Sequence, residues 1–452
     1  MLIDNECSSE MMRTAQNRRM PFKDDALAPS PEQQLDSFDA VQRKHALATL
    51  ARAGVAWPTG TAVNMHAHTF YSYNVFGYSP SKYAWLARKT GLAVAGIVDL
   101  DVLDGLEEFL DAGRLLGLKS CVSIESRVFV PEFASRVVNS PGEPGIAYHM
   151  GVGFTRAIEH PFLHGLRHSA QERVREMIVR VNAYLAPVKL DFDNDVVPLT
   201  PKGNVTERHV CEAYERKSEE VFPDAERRSA FWAGKLGSSP APGAELQGRI
   251  RAKTMKQGGV GYIAPAGGSF PTMVEMNRFV LEAGAIPTLA WLDGTSEGEA
   301  SVEELFEVAV GLGTAALNII PDRNYRQGVK DRRLQNLYDV VAAAERLQFP
   351  VIVGTEMNAP GNKFVDSFGT AELQPLLPVF LRGAYIVYAH SVLQRQCGLG
   401  YLSAWARECF GTRAEKNSFF ETLGRALQPS VEDRLSNLSV DPSPAQILTT
   451  IR

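Results

Sequence analysis

The stretch Asn64-Met65-His66-Ala67-His68-Thr69-Phe70-Tyr71-Ser72-Tyr73-Asn74 sets the reading of the whole chain. A short apolar run leads into a His-x-His pair and then into a polar, aromatic loop. If residues 61–65 extend as a strand, His66 and His68 point to one side of it, because strand side chains alternate with period two. Two imidazoles about 7 Å apart at a strand end can grip one metal ion. An isolated His-x-His is more often an ordinary packed or surface pair, so the segments that follow decide.

Outward from that pair, short apolar runs alternate with helical patterns, the texture of βα units around a largely parallel sheet or barrel. A helix over 81–90, closed by Gly91, leads to a buried strand over 92–98 that delivers Asp99, Leu100 and Asp101 at its end. A second helix over 105–116, closed by Gly117, precedes a strand over 119–124 that delivers Glu125, with Arg127 just beyond. The apolar segment 147–154 carries His149. Reactive groups in such folds gather where strands end, so His66, His68, Asp99, Glu125 and His149 are expected at one mouth.

The 452 residues, 45% of them hydrophobic, suffice for a sizeable core. A formal net charge of −5 leaves no global footprint for nucleic acid, which is not an expected partner. Five cysteines, Cys7, Cys121, Cys211, Cys397 and Cys409, are scattered without a C-x-x-C pair, against a disulfide framework or zinc knuckle. No apolar run approaches the roughly 18 residues of a membrane span, and the N-terminus is not signal-like. The chain therefore reads as cytoplasmic, with no membrane partner; oligomeric state is not legible.

Residues 1–60 read as a loose arm followed by a helix, or a pair of them, starting near Ser30-Pro31 and ending at Gly54. The stretch 155–284 is too long for a barrel connection and is rich in helical patterns over 174–185, 204–221 and 231–252, the signature of an inserted cap. Within it, His209 opens a helix, and Arg251, Lys253 and Lys256 precede a glycine-rich turn that could face an anion. Further βα units follow, one strand over 315–320 ending at Asp322-Arg323-Asn324 and another over 350–353. Residues 396–452 form a helical extension.

The chain resembles the PHP (polymerase and histidinol phosphatase) metal-dependent phosphoesterases over roughly residues 61–395. The resemblance rests on His66-Ala67-His68-Thr69 with Ser72, on Val98-Asp99-Leu100-Asp101 for the family's Thr-Asp-His-Asp, on Ser123-Ile124-Glu125 for Gly-x-Glu, and on His149-Met150-Gly151-Val152-Gly153. Gly354-Thr355-Glu356-Met357-Asn358 stands for Gly-Ser-Asp-x-His. The family implies a distorted (β/α)7 barrel, here with the inserted, mainly helical cap, a multinuclear metal site and hydrolysis of phosphate esters. Departures are as informative. Leu100, Trp291 and Asn358 replace imidazoles, and Tyr73 sits where an aspartate is common, which argues against a full trinuclear cluster.

The resemblance leaves His66, His68, Glu125, His149 and Glu356 as metal ligands for one or two divalent ions, Zn²⁺, Mn²⁺ or Fe²⁺. Asp293 or His390 could replace missing donors from shifted positions. Asp99 and His209 are candidate catalytic groups, and Arg127, Lys253 and Arg323 candidate contacts for a small anionic or phosphorylated substrate. The reading is a metal-dependent hydrolase, a phosphoesterase working through metal-activated water. Its alternatives are a barrel whose altered ligands have abolished catalysis, leaving a ligand-binding protein, and a hydrolase or lyase for a non-phosphate substrate.

Overall fold

The computed structural model describes residues 29–54, 57–58, 60–265, 268–325 and 332–452. The arm at 1–28, with Cys7, and two residues of the glycine-rich turn, Ala266 and Gly267, lie outside them. Seven strands form one sheet in the order of the chain: β1 (Val63–Ala67), β2 (Val94–Leu100), β3 (Ser120–Phe129), β4 (Ile146–Val152), β5 (Ile286–Trp291), β6 (Ala316–Ile319) and β7 (Val351–Val353). The sheet is a nearly closed, distorted barrel. Its last step is a parallel bridge between Ala67 and Glu356, held by His68 N–H to Glu356 O at 2.8 Å and Glu356 N–H to His66 O at 2.8 Å. Gly354 lets this seam form, since a Cβ there would lie 2.4 Å from the His66 nitrogen.

Most neighbours are parallel, as the alternation of strand and helix predicts, but β4 runs antiparallel to both β3 and β5. The physical reason is the β3–β4 link. Residues 130–145 hold only a short 3₁₀ turn, Pro131–Phe133, and lack the helix that usually carries the chain back across the sheet to start a parallel strand. The reversal fixes which side chains face inward. Glu125 is paired with Met150 and Ser126 with His149, so Glu125 and His149 lie on opposite faces of the sheet. Following the ladder round, Leu100, Glu125, Met150, Thr288 and Ala290 share the inner face with Asn318.

Helices cover the outside. Leu106–Leu116 turns Leu106, Phe109, Leu110, Gly113 and Leu116 inward at helical spacing. The Leu377–Cys397 helix packs against β1, β2, β3 and β7, and Gly383 lets it approach so closely that a Cβ would lie 1.9 Å from the Val351 carbonyl oxygen. Together with the turn from Gln374 it is, by length and composition, apolar enough to cross a membrane, with a mean hydropathy of 1.4. The expectation that no apolar run approaches that length is corrected. The cause is its place, since 72% of that window is buried in the protein.

The insertion has its own buried cluster, built by Pro161–Leu185, Glu207–Val221, Ala225–Leu236 and Ala244–Thr254 around Tyr214, Trp232 and Ile250. The single helix expected over 231–252 is two, broken after Gly237 in left-handed conformation and by Pro240 and Pro242, which cannot continue a helix.

Candidate metal centre

The end of β1 and the loop after it place His66 and His68 side by side, their ring centroids 5.3 Å apart and both fully buried. Each Nδ1 is fixed from behind. Asn318 Nδ2 donates to Ile352 O at 3.4 Å, so its Oδ1 is turned to accept from His66 Nδ1–H at 2.9 Å. Ser72 Oγ donates to Asp99 Oδ1 at 2.6 Å and accepts from His68 Nδ1–H at 3.0 Å. Both rings are thereby held in the tautomer whose Nε2 carries a free lone pair.

Those two Nε2 atoms are buried and make no hydrogen bond. They face the inner-face carboxylate of Glu125, whose Oε2 lies 3.9 Å from His66 Nε2 and 3.4 Å from His68 Nε2. A pair of buried nitrogens left without donors is costly unless something binds them. Ligand atoms of His66, His68 and Glu125 all lie within 4.8 Å of one another, a group that could hold a metal ion. The donor set, two imidazoles and a carboxylate, suits a transition dication with an open position. Burial lowers the His66 pKa below the usual histidine range. Burial also lowers that of His68, but the Glu125 carboxylate, with Asp99 and Glu356 behind it, outweighs burial and the net shift is upward. Burial pushes Glu125 up, and the two imidazoles with Arg323 pull it below its usual value.

Glu356 comes to the same mouth by a different route. Its φ of 62° lies in the left-handed region, a conformation costing a non-glycine residue about 1–2 kcal/mol, and the seam bonds to His66 and His68 hold it there. Its carboxylate does not join the His66, His68 and Glu125 group but takes Arg323 Nη2 at 2.9 and 3.0 Å. Arg127 stands two residues beyond Glu125 on the same face, donates to the buried Glu143 at 3.1 Å and lies over the Phe270 ring at 4.3 Å. Tyr148 is its cross-strand partner.

No family model matches the chain, and no curated protein sequence matches it. Among solved structures it is similar to an amidohydrolase from Chromobacterium violaceum with bound sulfate and no metal, at 16% identity over 66% of this chain and 88% of that one, TM-score 0.48. It is also similar to a protein from Bifidobacterium adolescentis described as a metal-dependent phosphoesterase, at 19% identity over 71% of this chain and 97% of that one, TM-score 0.47. The likeness assigns no residue and no reaction.

Several expected site residues lie elsewhere. His149 points out of the barrel, where its Nε2–H donates to Asn277 Oδ1 at 2.5 Å on the Met273–Glu282 helix, while its Nδ1 is buried without a partner. Sheet parity, reversed by the antiparallel β4, is the cause. Burial pushes its pKa down to about 4, so the ring is neutral in the fold. Because the folded value lies below the unfolded one, His149 favours the fold above about pH 6.5 and loses that contribution as pH falls toward 4. The wild type is expected to lose about 3 kcal/mol over that window relative to His149→Gln, read from denaturant unfolding at each pH.

Asp99 is not at the reacting position either; it accepts from Thr69 N–H at 2.9 Å, Thr69 Oγ1 at 2.7 Å and Ser72, and so supports the loop that carries His68. His209 caps its own helix through Nδ1, 3.1 Å from Thr206 N–H, with its ring against Tyr73 at 5.2 Å. Lys253 is exposed on the cap, and no hydrogen bond or ion pair among the described residues joins it to the centre. Its neighbours Arg251 and Lys256 both bind Glu207 Oε2 at 2.7 Å. His390 lies behind the barrel with Nδ1 accepting from Tyr401 N–H at 3.0 Å, and Asp293 accepts from Thr295 N–H in a loop. Leu100, by contrast, pairs with Glu125 on the inner face, so a donor at that position would face the centre.

Sequence reasoning missed Asn318, although a lone amide inside the apolar run 315–320 is a readable signal. Asp101 lies outside the His66, His68 and Glu125 group; burial pushes its carboxyl up to about 6, its φ is 61°, and Ser126 Oγ donates to it at 2.5 Å. Asn318→Ala is expected to weaken binding of Zn²⁺ or Mn²⁺ by about 10- to 100-fold, measured by calorimetry, because outer partners of ligating histidines contribute on that scale.

Proposed function

We propose that the chain is a metal-dependent hydrolase, a divergent PHP-type phosphoesterase acting on a small phosphorylated or similarly anionic molecule. The observation that carries the proposal is the pair of buried Nε2 atoms on His66 and His68, which make no hydrogen bond and are both turned toward Glu125. His66, His68 and Glu125 would hold the ion. When bound, a divalent ion lowers the pKa of a coordinated water and offsets charge on a phosphoryl oxygen, as phosphate ester hydrolysis requires.

The protein's own groups then have distinct tasks. Asn318 and Ser72 keep the imidazoles in register with Glu125 and block their rotation. Arg323, whose Nε and Nη1 make no hydrogen bond among the described residues, can donate to an anion without leaving Glu356. Arg127, held against Phe270 and Glu143, adds positive charge on the inner face beyond Glu125.

The test is phosphate release from a panel of phosphomonoesters, including p-nitrophenyl phosphate and nucleoside monophosphates, with protein loaded separately with Zn²⁺, Mn²⁺ and Fe²⁺. Turnover is expected with at least one ion and is expected to vanish in Glu125→Ala. Protein that takes up no ion, or that takes one up and releases no phosphate from any ester, sinks the reading.

A further inference from the structure

Four donor side chains reach this mouth, His66, His68, Glu125 and Glu356, but only three converge on one point. The fourth is occupied. Both oxygens of Glu356 accept from the same Arg323 nitrogen, at 2.9 and 3.0 Å, and the Glu356 main chain is pinned between His66 and His68 by the two 2.8 Å seam bonds. The Glu356 main chain is therefore fixed beside both histidines, while its carboxylate is turned to a guanidinium. The Arg323 side chain is 44% exposed and the Glu356 side chain only 9%, so the guanidinium sits at the rim of the mouth, held from below by the carboxylate and open to an anion from outside.

We propose, resting on the metal-centre reading above, that this centre takes a single divalent ion and that Arg323, held by Glu356, supplies beside it the fixed positive charge that a second ion would otherwise bring. The charges balance on that basis. Glu125 and Glu356 contribute two negative charges, the neutral imidazoles none, and one dication with one guanidinium leaves a single net positive charge to meet an anion. A two-ion centre stabilises an anion by clamping it between cations about 3.5–4 Å apart. An ion and a planar guanidinium can do the same with directed N–H bonds, and Arg cannot lose its proton at working pH. The free Nε and Nη1 of Arg323 are the donors available for that purpose.

The deciding experiment measures bound Mn²⁺ per full-length chain by elemental analysis, with electron paramagnetic resonance to tell isolated from exchange-coupled ions. Wild type is expected to hold about one isolated ion, Arg323→Met about two coupled ions once Glu356 is released, and Arg323→Met/Glu356→Gln about one again. Wild type holding a coupled pair, or Arg323→Met holding only an isolated ion, overturns the proposal while leaving the metal-centre reading intact. Wild type holding none overturns the metal-centre reading itself. Should Arg323→Met not fold, the wild-type ratio and Arg323→Lys still decide: the lysine variant keeps the charge and is expected to hold a single isolated ion, and a coupled pair there overturns the proposal.

Discussion

Protein carrying His66→Ala and His68→Ala is expected to fold and to bind no divalent ion. Affinity for Zn²⁺ should fall by more than the about 10- to 100-fold that outer hydrogen-bond partners contribute, because both nitrogen ligands are gone. Stability of the ion-free protein should fall by less than an ordinary core truncation of this size would cost. Each histidine buries an unpaired nitrogen, and leaving a buried acceptor unsatisfied costs about 1–3 kcal/mol. Removing that penalty offsets part of the cavity created. Calorimetric titration with Zn²⁺, beside urea unfolding of both proteins in chelator, checks the two halves. Undiminished affinity in the variant would show that the imidazoles are not ligands.

Gly383→Ala is expected to be strongly destabilising, by about 3 kcal/mol, although glycine to alanine inside a helix ordinarily gains about 1 kcal/mol. The new methyl would fall 1.9 Å from the Val351 carbonyl oxygen, and backbone on both sides leaves nothing soft to yield. The affected contact joins the Leu377–Cys397 helix to β7, whose C-terminal end leads into Glu356. A shift of that helix is therefore expected to loosen metal binding as well. Urea midpoints of wild type and variant, compared at equal slope, measure the first effect; a variant as stable as wild type would mean the helix does not sit this close.

Local pattern carried the reading of His66, His68 and Glu125. Strand alternation put the two histidines on one side, and the strand-end rule put Glu125 beside them; both are short-range regularities. His149 failed for a long-range reason. Its face depends on the register of β4 against β3, and one step of register, or a reversal of direction, exchanges the two faces of a strand. No residue near His149 encodes that choice, because it is made by the 130–145 link, which has no crossover helix. Glu356 was legible as a strand-end carboxylate, but its pairing with Arg323 joins residues whose contact exists only once β6 and β7 lie side by side. The barrel class was legible because βα alternation repeats along the chain. Helix boundaries inside the insertion were less so, since the apolar spacing on either side of Gly237 continues across the break.

The seam between β7 and β1 bears on which cations could enter. His66 and His68 cannot swing apart without breaking both main-chain bonds to Glu356, and their rings cannot turn without losing Asn318 and Ser72. Such an aperture sorts ions by radius. Calcium needs six to eight oxygen ligands at about 2.3–2.6 Å, and a narrow, nitrogen-rich opening offers neither the number nor the reach. The smaller transition dications fit a few short bonds to nitrogen and oxygen. On the metal-centre reading, calcium is expected to compete poorly with Zn²⁺ or Mn²⁺, and the fixed seam, more than any one ligand, would set that preference.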